Sequence, residues 1–225
     1  MRCAVFLSTL FALSASAADR VPESFVVAND YVVLNHLLPV QPFQNQDEHG
    51  KKLEVSPGHF GSLVCEPSFS GAMRLALDFD SEGPPEQYRL IVTQEESNIS
   101  QWLAQKARGG VQEEVKIIRT EALIDSEFGL AIFKAWTSMI LNTRYAKKPR
   151  EHITDGTYYR ASVTPGGYPT IYGETHSPHA GLPKEFVELG ETLAEYPSSN
   201  PADRPAVRAK LLKRLRSLES RARRM

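Results

Sequence analysis

Cysteine is scarce in this chain: 225 residues hold two, Cys3 and Cys65. Cys3 lies in an N-terminal segment expected to be removed, and one remaining thiol excludes an internal disulfide. The stretch "SLVCEP" reads as a strand with Leu63 and Cys65 on one face, so Cys65 is expected as a buried thiol. Pairing it with His59 as a nucleophile fails on distance, because six strand positions span about 20 Å at 3.3 Å each.

Long apolar runs are missing as well. "CAVFLSTLFALSA" falls short of the ~20 residues that cross a bilayer as a helix. It follows the positive charge of Arg2 and precedes Ala15-Ser16-Ala17, which describes a signal peptide cut between Ala17 and Ala18. No Cys stands at the cut to carry a lipid. No second run of spanning length follows, so the sequence predicts an exported soluble protein, periplasmic or extracellular. The expected organisation is a signal peptide over 1–17, one α+β domain over 18–198, and a linker with a basic helix over 199–225.

Catalytic signatures are sparse too. There is no GxSxG elbow, since Ser62 in "GHFGSL" lacks the second glycine. Gly109-Gly110 and Gly166-Gly167 read as a helix stop and a turn, and neither belongs to a Walker loop or a GxGxxG. Asp78 and Asp80 share a strand face, which predicts solvated carboxylates, with none of the burial an acid/base pair requires. No internal repeat is visible.

What is present is organised. "FGSLVCEPSF", "AMRLALDFD" and "QYRLIVTQE" alternate in part and are separated by "SG" and "SEGPP", which predicts an antiparallel meander. Met73, Leu75, Leu77 and Phe79 should face the core, with Arg74, Ala76, Asp78 and Asp80 on the opposite face. "SFVVAN" and "DYVVLNHLL" have strand composition, the stretch to about residue 58 reads as a long loop, and "ISQWLAQKAR" reads as a short helix. "EEVKIIRTEAL" leans to a strand on its β-branched content.

A helix is predicted from about Ser126 to Tyr145, capped by Asp125 or Ser126. Phe128, Ile132, Phe133, Trp136, Met139, Ile140 and Thr143 recur along it, with Phe128, Phe133 and Trp136 as anchors. A hairpin follows, turned by Asp155-Gly156 and "TPGGYP". A helix over about Pro183 to Tyr196 then buries Phe186, Val187, Leu189 and Leu193. The fold class is α+β: an antiparallel sheet packed against a central aromatic-striped helix, with a C-terminal hairpin, a further helix and a basic terminal helix.

"WTSMILNTRY", "DGTYY" and "GETHSP", in this order, resemble an arrangement in uncharacterised exported bacterial proteins. The resemblance covers roughly residues 128–196. No activity is known for that group, so it implies no catalytic residue.

Two stretches carry possible chemistry. "GETHSPHAG" places Glu174, His176 and His179 within six positions, a set that could ligate zinc with a further ligand such as His152 or Asp155. Ser177 before Pro178 is pushed out of helical space, so two histidines cannot share a helix face there. The stretch is therefore either a polar loop leading into the helix at Pro183 or a metal site, and the second reading makes the protein a metal-dependent hydrolase.

The other stretch is the C-terminus. Without Arg2 the chain has 25 basic and 27 acidic residues, and residues 199–225 hold nine of the basic and two of the acidic ones. A tail of +7 thus follows a body of −9. Val207, Leu211, Leu215 and Leu218 form one stripe on a helix capped by Asp203 and about 34 Å long at 1.5 Å per residue. Either this stripe docks on the acidic body, or Arg208, Lys210, Lys213, Arg214, Arg216 and Arg221 meet an anionic surface or acidic partner. Nucleic acid is not expected as a partner of an exported chain. The leading reading is a non-enzymatic binding protein with a basic docking helix.

Overall fold

Alternating apolar residues in short runs need a second layer to cover one face, and in this chain helices supply it. The structure is a computed structural model describing residues 37, 60–68, 70–80, 87–96, 116–144, 156–166 and 169–225. The signal peptide, the strands expected over residues 24–38 apart from Leu37, the long loop to 58 and the helix at 99–108 lie outside the described residues.

Strands β1 (Gly61–Pro67), β2 (Met73–Phe79), β3 (Gln87–Glu95) and β4 (Ile117–Asp125) lead into helix α1 (Ser126–Leu141). Strands β5 (Thr157–Val163) and β6 (Ile171–His176), then helices α2 (Gly181–Glu195) and α3 (Arg204–Ala222), complete the described elements. The sheet order is β4-β3-β2-β1-β5-β6, with every neighbouring pair antiparallel. The expected meander is thus present, and the hairpin β5–β6 extends the same sheet through β1, with Leu63 opposite Ala161.

Register places Leu63, Leu75, Leu77, Leu90, Val92, Ala161 and Val163 on one face, and all are buried. α1 lies across that face, with Phe128, Ile132, Trp136 and Met139 buried. Its N-cap is Asp125, whose Oδ1 accepts from the Phe128 amide at 3.0 Å. Two features differ from expectation. The helix ends at Leu141, four residues early, because Asn142 Nδ2 donates to the Ser138 carbonyl at 2.8 Å and closes the last turn. Phe133 is half-buried, and it meets Phe60 edge-to-face at the rim of the sheet.

The opposite sheet face is not solvated as the alternation predicted. Arg74 is 9 % exposed, Ala76 0 % and Ile91 1 %. Ser62 and Ser162 are also buried there and share a 2.9 Å hydrogen bond across β1 and β5. Asp80, expected in solvent, is 5 % exposed and accepts from Arg89 Nη2 at 2.8 Å. A buried carboxylate persists when a hydrogen-bonded cation compensates its lost hydration.

α2 begins at Gly181, with φ +75, a backbone region open to glycine at no steric cost. It buries Phe186, Val187, Leu189 and Leu193 as its periodicity predicted. α3 packs chiefly on α1 and α2. The result is a sheet, a layer of two helices, and a third helix behind them.

Candidate binding site on the C-terminal helix

α3 forms because leucines recur at helical spacing among strong helix formers, and Pro205 occupies its first turn. Asp203 stands at the N-cap without capping through its side chain. Its natural targets are missing: Pro205 has no N–H, and the Ala206 amide donates to the Asp203 carbonyl at 3.1 Å. Leu211, Leu212, Leu215, Leu218 and Ala222 are buried within the main core, and Val207 is partly buried against it. The stripe therefore docks on the body. Its far end is pinned by Asn142 Nδ2, which also donates to the Ala222 carbonyl at 2.8 Å.

Docking divides the basic residues of α3 beyond Arg204, which donates to the Pro197 and Ser199 carbonyls, into two sets. Arg208 Nε and Nη2 donate to Asp125 Oδ2 and Oδ1 at 2.8 and 2.7 Å, and Nη2 also reaches Glu127 Oε2 at 2.6 Å. Its guanidinium carbon lies 5.9 Å from the centre of the Phe128 ring. Arg216 donates to Glu127, and Arg221 to Glu185 of α2. The hydrogen bond from Arg208, aided by the Phe128 amide, holds the Asp125 carboxyl below the usual carboxylate range. Arg208 and Arg216 do the same to Glu127. Arg208, Arg216 and Arg221 thus join α3 to the acidic body.

Lys210, Lys213 and Arg214 point elsewhere. Among the described residues Lys210 and Lys213 enter no ion pair, and Arg214 Nη1 makes a long 3.4 Å contact with Thr192 Oγ1. With Glu185 and Ser217 these three line an open cleft of about 450 Å³ between α2 and α3. Beside it lies a second hollow of about 300 Å³, with Tyr196, Val207 and Leu211 among its lining and with Lys210 and Arg214 in common. Burial raises the Tyr196 hydroxyl above its ordinary pKa, so the ring is neutral at physiological pH. The second recess is lined mostly by polar residues, Thr192, Glu195 and Ser199 among them, so the two together form one cationic, polar surface.

"GETHSPHAG" is placed at the opposite end of the chain's sheet order, on edge strand β6 and the turn after it. Glu174 and His176 alternate onto one face as expected, with Glu174 opposite Arg160 and the His176 ring 4.2 Å from that of Tyr158. Ser177 then leaves the strand with φ +37, and its Oγ accepts from the Thr157 amide at 2.9 Å. His179 follows in the turn and is exposed. Among the described residues no three His, Cys, Asp or Glu side chains gather closely enough to hold a metal, Glu174, His176 and His179 included. His152 and Asp155 lie outside the described residues.

Cys65 sits on the core side of β1, half-buried, opposite Tyr159. Desolvation, then the charge of Glu191, pushes its thiol up to about 12, an effect the neighbouring Tyr159 hydroxyl offsets only in part. A thiol so raised is a poor nucleophile at neutral pH. Tyr159 Oη donates to Glu191 Oε1 at 2.8 Å, which ties β5 to α2.

The basic half of the cleft was legible in the sequence as charges on α3. The residues opposite, Glu185 in the cleft and Thr192 in the recess beside it, were not, because nothing local states which face of α2 lies beside α3. No protein family, curated protein or solved structure matches the chain.

Proposed function

We propose that this is an exported, non-enzymatic binding protein whose site is the cationic cleft between α2 and α3. One observation carries the reading: docking pairs Arg208, Arg216 and Arg221 with the body and leaves Lys210, Lys213 and Arg214 around an open recess. Cations not needed to hold a helix in place cost repulsion among themselves, which an anionic group bound between them would relieve. Export rests on the N-terminal segment to Ala17 and belongs to the same proposal.

Poly-L-glutamate tests it. The mature protein should bind this polymer in 20 mM salt and release it at 200 mM, since exposed charges are screened over a Debye length of about 8–10 Å at physiological ionic strength. Lys210→Glu/Lys213→Glu/Arg214→Glu should weaken binding by about tenfold or more, equivalent to about 1.4 kcal/mol. The same charge change at Lys116, Arg119 and Lys134, exposed on β4, its approach and α1, should weaken it much less. Equal losses in the two variants would mean that net charge acts and the cleft does not.

A further inference from the structure

We infer that the chain forms a two-fold dimer in which β4 of one copy pairs antiparallel with β4 of the other, centred on Thr120. The sheet then runs unbroken through both copies. The residues involved lie at the sheet edge farthest from β6 and take no part in the cleft.

β4 is the outermost strand in the order β4-β3-β2-β1-β5-β6, and among the described residues nothing pairs with its outer side. The Glu96 amide donates to the Lys116 carbonyl at 2.9 Å, which sets the alternation along the β3–β4 ladder. Ile118, Thr120 and Ala122 therefore bond to β3, while Ile117, Arg119, Glu121 and Leu123 turn their N–H and C=O groups outward. Such a row is a template for another strand, and edges that avoid pairing are blunted by Pro, a bulge or an inward-facing charge. β4 has none of these. It contains no Pro, its helix-side residues are Ile118, Thr120, Ala122 and Ile124, and its register with β3 is unbroken from Asp125 to Ile117. Apolar side chains along it are open, with Ile118 42 % and Leu123 57 % exposed. The other edge is a poorer template. The Ser177 amide donates to the Thr157 carbonyl at 2.9 Å, so β6 directs only Tyr172, Glu174 and His176 outward.

The sequence of β4 selects a second copy as its partner and fixes the register. A ladder forms only where outward-facing residues meet outward-facing residues. A two-fold axis at Thr120 is the centre that maps all four onto one another, with Ile117 opposite Leu123 and Arg119 opposite Glu121. Arg119 and Glu121 already pair along their own strand at 3.2 Å, and both are half-exposed. Four charges of alternating sign therefore surround the axis, and an Ile–Leu pair closes each end. Centring on Arg119 or on Glu121 would set like charges directly opposite, which is destabilising. The contact is isologous, so it closes at two copies and leaves no β4 edge for a third. Seven paired positions span about 24 Å. One strand pair is a small interface, so the dimer should have a micromolar Kd.

Sedimentation equilibrium of the mature protein between about 1 and 200 µM should show reversible monomer–dimer exchange. Arg119→Glu and Glu121→Arg, each checked for fold by circular dichroism and thermal melting, should raise the dimer Kd by about tenfold or more. An equimolar mixture of the two variants should recover a dimer, since every opposed pair then holds one acid and one base. Oxidised Thr120→Cys should run as a covalent dimer on a non-reducing gel. Opposed residues of a non-hydrogen-bonded pair have Cα atoms about 4.5 Å apart, within disulfide reach. Ile118→Cys should stay monomeric there, because its two copies lie four strand positions, about 13 Å, apart. Cys65 is common to both variants. The poly-L-glutamate comparison, which uses Arg119, is made below the dimer Kd, where avidity plays no part. A chain monomeric at about 200 µM, a dimer indifferent to both charge reversals, a mixture that stays monomeric, or equal cross-linking at 118 and 120 overturns the inference.

Discussion

Single residues hold the layers of this fold at fixed separations, and Gly190 is the clearest case. A Cβ built there overlaps Leu63 Cδ2, the end of a fully buried side chain, so Leu63 must shift within a packed core. Alanine in a helix interior normally gains up to about 1 kcal/mol over glycine, while overpacking a core costs about 1–3 kcal/mol. Gly190→Ala should therefore destabilise the protein by roughly 1–2 kcal/mol, in denaturant titration, against its helix propensity. A stabilised variant would mean that α2 is free to lift from β1. None of this was visible in "VELGETL", where the glycine reads only as a weak helix former. By contrast, the sequence placed Leu63 and Cys65 correctly on one strand face, because a period of two is a purely local property.

At the scale of elements, the junction of α1 and α3 is electrostatic at one end and hydrogen-bonded at the other. Asp125 has two tasks there: it caps α1 and receives the Arg208 fork. Its folded pKa is depressed, so its contribution is fully present above the unfolded value of about 3.9 and is lost as pH falls through the lower folded value. Asparagine keeps the cap acceptor and removes the charge. Asp125→Asn should lower stability at pH 7 by about 1 kcal/mol or less, because the pair is half-exposed and screened. That deficit should shrink as the pH falls through the depressed folded value, where the native Asp125 becomes protonated as well. Melting curves of both proteins between pH 2 and 7 check this, and a deficit that persists in acid would assign the loss to geometry. The sequence showed the helix, its cap and the opposite charges of tail and body. It did not show which acid meets which arginine, since Asp125 and Arg208 are 83 positions apart.

For the whole molecule, the basic helix is a structural member before it is anything else. Leu211, Leu215 and Leu218 are each 1 % exposed or less, and burying a leucine contributes about 1.5–3 kcal/mol. Together they approach the 5–15 kcal/mol by which a typical domain is stable. Truncation at residue 200 should accordingly abolish cooperative thermal unfolding and expose apolar surface to a reporter dye such as ANS. A truncated chain that melts sharply near the full-length temperature would show α3 to be an appendage. Charge reversal on the exposed face is for this reason the sound test of binding, and deletion is not.

Local pattern determined the strands from Gly61, the capped aromatic helix, the hairpin, the amphipathic helices and hence the α+β class, because periodicity and capping act within a few residues. It also determined that a leucine stripe and a cluster of cations share one helix. Only the tertiary structure decided that both faces of the sheet's centre are buried, that the hairpin joins the sheet beside β1, and that three of the cations face acids of the body while three surround a cleft. Those outcomes depend on which distant surfaces meet. Burial and Coulomb energy are set by the neighbours a fold brings together, and a residue's neighbours in the chain do not specify them.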